Sequence, residues 1–162
     1  MFINIKINLK TIIIICIIIA LIITGFSIYS VFGVSKNITN PDLIELNTDN
    51  YTNVLKEIHM YPDRYKNHPI KGNGFIFIDN TLDKNQFVLA RNMIVCCEND
   101  PVVVGILCEY SGIDKFEVSS WVEIEGTIDI IERNGFTIPI IKIISINNSK
   151  CPVNPNVVPP TI

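Results

Sequence analysis

The stretch Trp121-Val122-Glu123-Ile124-Glu125-Gly126-Thr127-Ile128-Asp129-Ile130 decides the fold. Val122, Ile124, Ile128 and Ile130 fall on one side of an extended chain, with Gly126 in the same register. Glu123, Glu125, Thr127 and Asp129 fall on the other. Successive strand side chains point to opposite faces, so this alternation describes a strand with one face on a core and the other in water. Working outward, similar β-branched and aromatic runs predict strands over 70–78, 86–97, 102–110, 121–131 and 137–146. The connectors carry turn chemistry at Asp79-Asn80, Glu98-Asn99-Asp100-Pro101, Ser111-Gly112 and Arg133-Asn134-Gly135. Five short strands in about 80 residues predict a mainly β, α+β domain built as a small OB-like barrel. A flat five-stranded sheet beneath a helix is the alternative. Gly74, Gly105 and Gly126 sit inside strand patterns, where a barrel uses bulges or bends.

Before the strands, Tyr51, Val54, Leu55 and Ile58 recur at helical spacing, predicting a helix over 51–60 capped by Asn50 or Asp49. Tyr61-Pro62-Asp63 is expected to end it. After the strands, Pro152, Pro155, Pro159 and Pro160 make residues 150–162 an extended tail that no central strand could accommodate.

The chain has 162 residues, 48% of them hydrophobic, with formal net charge −3 and mean hydropathy +0.36. The apolar excess is local. No charge occurs from Thr11 to Ser35, and Ile12 to Ile23 is an unbroken apolar run. At about 1.5 Å per residue, 20 helical residues cross a hydrocarbon core of roughly 30 Å. The resulting organisation is a basic N-terminus at 1–10, a single transmembrane helix at 11–34, a polar tether at 35–42, the helix plus barrel at 43–149 and the tail at 150–162. A cleaved signal peptide leaving at Val31-Phe32-Gly33 is the competing reading, but the run exceeds a signal core and no Ala-x-Ala site follows. Lys6 and Lys10 precede the run and Lys36 follows it, which favours a cytoplasmic N-terminus and an extracytoplasmic domain. Beyond the anchor, 11 basic residues face all 16 acids, a balance of −5. With no basic block to neutralise phosphates, nucleic acid is not an expected partner.

Cys96 and Cys97 close the second strand before an acidic turn containing Asp100. Neighbouring strand residues face opposite ways, and no Cys-x-x-Cys spacing occurs. A hairpin turning at Glu98 to Pro101 would pair Cys97 with Val102 and place Cys108 near Arg91, away from Cys96. Cys151 on the tail is then the cysteine able to join the pair. Inert thiols, a disulfide, a redox pair and a Zn site using Cys96, Cys97, Asp100 and Cys151, with His59 or His68 nearby, all remain open. Arg91 interrupts an apolar strand, and a buried guanidinium requires a carboxylate or carbonyl partner. Lining a pocket, it would instead contact an anionic ligand. Glu123, Glu125 and Asp129 read as a solvated strand face. His59 and His68 read as surface or capping residues. No nucleophile elbow, Walker loop, zinc-protease helix or dinucleotide fingerprint is present, so an enzyme is not expected.

The run Phe87-Val88-Leu89-Ala90-Arg91, then Ile94-Val95-Cys96-Cys97 with Asp100, then Val104-Gly105 and Trp121 to Gly126, resembles the YcgQ-like family of uncharacterised membrane proteins. Asn50-Tyr51, Ile58, Tyr61-Pro62, Tyr65, Gly74-Phe75 and the prolines of the tail belong to the same frame, which covers residues 43–160. The chain departs from it at Asn67, Asn156 and Val158, and in carrying one apolar span where members usually carry two. The resemblance implies a membrane-bound protein accompanying a predicted multi-span permease, with a soluble domain of unknown activity. Arg91 and Trp121 are the candidate ligand or structural residues. Three functions follow as expectations: an accessory subunit whose domain docks on the permease, a thiol-dependent Zn module, or a tethered OB-like ligand-binding domain.

Overall fold

The computed structural model describes residues 42–96 and 101–161. The expected transmembrane span, nearly all of the tether, Cys97 and Asp100 lie outside the described residues. Among the described residues no helix is long and apolar enough to cross a membrane.

Among the described residues seven strands form one sheet: β1 (Ile44–Leu46), β2 (Pro69–Phe77), β3 (Gln86–Ile94), β4 (Pro101–Glu109), β5 (Trp121–Arg133), β6 (Phe136–Asn148) and β7 (Asn156–Val157). The five long strands run β2-β5-β6-β4-β3, and β3 pairs back onto β2. The result is a closed barrel, and the flat-sheet alternative is excluded. All five match expected strands, within three residues at either end. The β5–β6 hairpin carries twelve pairs from Val122 opposite Asn148 to Arg133 opposite Phe136, with a register shift between Glu125 and Gly126. Closure demands that irregularity, and Gly126 permits it. A Cβ there would meet the Lys142 carbonyl oxygen at 2.5 Å and Ile141 at 2.7 Å.

The helix α1 (Tyr51–Met60) occupies its expected span. Its N-cap Asn50 makes no side-chain cap bond, because the amide is committed backward, accepting from Asn47 N–H at 2.9 Å and donating to the Glu45 carbonyl at 2.8 Å. The expected stop at Tyr61-Pro62-Asp63 is also a start. Tyr61 leaves helical geometry, and Pro62 opens α2 (Pro62–Tyr65), since proline is suited to a first helical position. The β3–β4 register differs from the expected one: Ile94 faces Pro101, so Cys108 lies opposite Phe87 and Arg91 opposite Val104. The connection of six residues is wider than the turn expected at Glu98 to Pro101.

Tyr51, Leu55 and Ile58 of α1 join Phe87, Leu89, Ile106, Ile124, Ile128 and Ile141 in one core. The tail contributes β7, parallel to β3 at the outer position of the sheet, and buries Val157. It continues over α1. Thr52 Oγ1 donates to the Val158 carbonyl at 2.7 Å, Lys56 Nζ to the Thr161 carbonyl at 2.9 Å, and Thr161 N–H to Asn53 Oδ1 at 2.8 Å.

Candidate functional site

Two strands change partners at one place in this sheet. The edge of β2 pairs with β1 over Ile70–Gly72 and with β3 over Phe75–Phe77. The edge of β3 pairs with β2 over Val88–Ala90 and with β7 over Asn92–Met93. Asn73 and Arg91 stand where these ladders hand over. Arg91 is 2% exposed. Its Nε donates to the Asn73 carbonyl at 2.9 Å, Nη2 to Asn73 Oδ1 at 3.2 Å and Nη1 to Thr48 Oγ1 at 3.1 Å. The guanidinium therefore bridges the backbone where a ladder rung is missing. It also lies 5.1 Å from the Trp121 ring centroid and 5.5 Å from that of Tyr51.

Among the described residues Arg91 has no carboxylate partner. Burial lowers its pKa from the usual arginine value, but an arginine starts so high that it stays cationic. Removal from water is offset by three donated hydrogen bonds and two aromatic faces. Tyr51 donates its hydroxyl to the Leu89 carbonyl at 2.7 Å. Burial raises its pKa, reinforced by nearby Cys108 and opposed by Arg91. Tyr51, Arg91 and Trp121 thus form one packed unit joining α1, β2, β3 and β5, with Thr48 as its link to the β1–α1 loop. In the structure Arg91 donates to a carbonyl, an amide oxygen and a hydroxyl.

Trp121 is half-buried and lines a cleft of about 480 Å³ with Phe75, Asn92, Ser119, Cys151 and Asn156. Phe75 meets the indole edge-on, with centroids 5.9 Å apart and planes at 67°. Cys151 is exposed at this cleft and within electrostatic reach of Arg91. The structure therefore brings together Arg91, Trp121 and Cys151. Cys96 follows the end of β3, and Cys151 precedes β7, which runs parallel to β3 with Asn156 opposite Asn92. Among the described residues no three His, Cys, Asp or Glu side chains gather as a metal site. Cys108 is fully buried, and burial pushes its thiol up to about 12. His59 Nδ1 lies 2.8 Å from the Leu55 carbonyl, and His68 Nδ1 3.4 Å from that of Lys66. Lys71 bridges Glu123 and Glu125 at 3.4 Å each, and Lys66 meets Asp129 at 3.7 Å. The hydrogen bond to Glu123 is the main cause that raises the Lys71 pKa. The acidic stripe is accordingly an ion-paired solvated face.

The cleft residues Asn92, Asn156, Phe75 and Ser119 escaped sequence reasoning. Asn92 carried a signal, because a second polar residue directly after Arg91 again interrupts an apolar strand.

A second feature is the arm made by β3 and β4. Among the described residues only Leu107–Glu109 of β4 pairs with β6, and residues 101–106 are paired on the β3 side alone. No charged side chain occurs from Pro101 to Cys108. Val102 is 46% and Val103 43% exposed, beside exposed Val95. Between this arm and α1 runs an apolar groove of about 460 Å³, lined by Leu55, Met93, Val104 and Pro160 among others.

The profile of the DUF1980 C-terminal domain matches residues 31–159. A protein of Streptococcus mutans serotype c named "Putative two-component membrane permease complex subunit" is 32% identical over 116 residues, covering 70% of this chain and 42% of that protein. The UPF0703 protein YcgQ of Bacillus subtilis strain 168 is 29% identical over 116 residues, 70% of this chain and 41% of its own length. The chain thus spans about two fifths of these curated relatives. A small single-stranded DNA-binding protein of Streptomyces coelicolor aligns at 12% identity and TM-score 0.33, over 52% of this chain and 94% of that one. That likeness bears on neither fold nor function.

Proposed function

The chain belongs to the DUF1980 C-terminal domain family, and from that premise we propose that it is a membrane-anchored accessory subunit whose extracytoplasmic barrel docks on a multi-span permease partner. The observation that carries this reading is the β4 arm. A strand edge with open backbone donors and acceptors is a template for another strand, and soluble proteins usually guard such edges with lysine, proline or a covering element. Here Val102 and Val103 stand exposed on that edge beside an apolar groove. An extended partner segment would add as a further strand, with backbone hydrogen bonds supplying affinity and alternate side chains entering the groove. The name of the S. mutans relative supports a place in a permease complex. The barrel order, in which its first strand pairs with its second and fourth and its third lies parallel to its fifth, supports the OB-like reading. A short tether would hold the domain near the bilayer and raise its effective concentration at any membrane partner.

The test is co-purification of the full chain with its multi-span permease partner from detergent-solubilised membranes, beside Val95→Lys and Val102→Lys variants. A complex recovered with the native chain and lost in both variants, with unchanged melting temperatures, is the expected result. A chain that purifies alone, or a complex that survives both lysines, would overturn the reading.

A further inference from the structure

We infer that the Trp121 cleft is a binding site for a neutral saccharide, with the indole as platform and Asn92 and Asn156 as the pair that reads its hydroxyls. The cleft borders the docking arm at Val103 and at Asn92, which pairs with Val103, but the inference rests on the indole and the polar groups and not on the open edge of β4.

Three observations carry it. The first is the donor and acceptor set. Asn92 and Asn156 face each other across the β3–β7 rung and both line the cleft. Among the described residues neither side-chain amide makes a hydrogen bond, and neither the Trp121 indole N–H nor the Ser119 hydroxyl makes one. Two adjacent amides offer donors and acceptors together, the arrangement that vicinal hydroxyls require. Second, the indole is held in place before any ligand arrives. Arg91 lies against its ring and Phe75 against its edge, while Arg91 is itself fixed by Asn73 and Thr48. A platform already immobile loses little entropy on binding. The apolar C–H face of a pyranose can then lie on the exposed part of the ring while its hydroxyls meet the amides.

The third observation is charge. Among the described residues no Lys, Arg, Asp or Glu lines the cleft, and Arg91 is enclosed behind the indole. A nucleotide or sugar phosphate would find no cation for its phosphate, and a wholly apolar ligand would strand the amides. A neutral polyhydroxylated ring satisfies both constraints. At about 480 Å³ the cleft lies within the ~300–1,000 Å³ range of small-ligand pockets.

Trp121 is the single tryptophan of the chain, so its emission reports on this cleft alone. The full chain, held in a detergent without sugar headgroups, is titrated with maltotriose, with the N-acetylglucosamine trimer, with adenosine and with glycerol. The expected result is a saturable emission change with at least one trisaccharide and none with glycerol. Asn92→Ala and Asn156→Ala should each weaken it about tenfold, the loss of roughly one good hydrogen bond, with unchanged melting temperature. Val102→Lys should leave it intact, which separates failure of this site from failure of the docking arm. No saturable change with either trisaccharide, a change that persists in the Asn92→Ala Asn156→Ala double variant, or saturation by adenosine alone would overturn the inference.

Discussion

The β5–β6 hairpin is sealed by twelve ladder pairs over a row of buried isoleucines, whereas the β2–β3 seam opposite carries three pairs and a guanidinium. Redundancy protects the first region, because losing one rung leaves its neighbours in place. At the second, backbone pairing lapses between Gly72 and Phe75 on β2, and a single side chain spans the gap. The same side chain also fixes Trp121, so the weakest part of the ladder is the part that organises the cleft. A seam closed by a side chain can carry a polar, ligand-accessible surface where a continuous ladder offers only pleated backbone.

The largest expected effect lies on the hairpin side. Ile124→Ala should cost about 2–5 kcal/mol in chemical denaturation of the full chain in detergent, the usual range for emptying a core position. At the seam, Arg91→Leu should cost about 2–3 kcal/mol, since the Asn73 carbonyl loses its partner in a buried place. Arg91→Lys should recover less than half, because an ammonium cannot reach Asn73 twice and Thr48 as the fork does. A larger loss for Arg91→Leu than for Ile124→Ala would break the comparison, making the side chain rather than the hairpin the keystone.

Alkaline pH probes the interior beside the seam. The ordinary thiol value is 9.0 and burial pushes Cys108 up to about 12, so between these limits the unfolded chain releases a proton that the folded chain retains. Stability from this group is complete below pH 9 and falls as pH rises toward 12, by about 1.4 kcal/mol per pH unit. Tyr51, raised from 10.0 by burial, adds to the fall higher up. Denaturation midpoints at pH 7, 9 and 10.5 should show the decline, and Cys108→Val should flatten its first part. Smaller still, Thr52→Val should cost about 1 kcal/mol and quicken amide exchange around Val157, since it releases the tail strap at the Val158 carbonyl. Lys71→Met, on the exposed ion-paired stripe, should leave the midpoint unchanged; a clear loss there would show that the solvated face also holds the seam.

Much of the barrel was legible because period-two alternation is written locally, and α1 because Tyr51, Leu55 and Ile58 recur at helical spacing. What escaped has a common cause. The hairpin register depended on turn length, and the partial match of β4 to β6 on closure of the whole sheet. A strand as short as β7, only Asn156 and Val157, has no periodicity to read and forms because β3 offers an edge. Arg91 announced itself as an anomaly in an apolar strand, but its partners did not. Thr48 and Asn73 lie 43 and 18 residues away, and nothing in either neighbourhood marks them as acceptors for a guanidinium.

The five long strands and the main helix were already written in the sequence, because they follow from side-chain period and composition over a few consecutive residues. Folding of the whole sheet was needed to hold Arg91 by carbonyl, amide and hydroxyl oxygens, with no carboxylate among the described residues, and to bring Cys151 toward it. It alone set Asn92 beside Asn156 at the edge of an indole. These juxtapositions arise where strands exchange partners, and partner exchange is a property of how a twisted sheet closes on itself rather than of any segment within it.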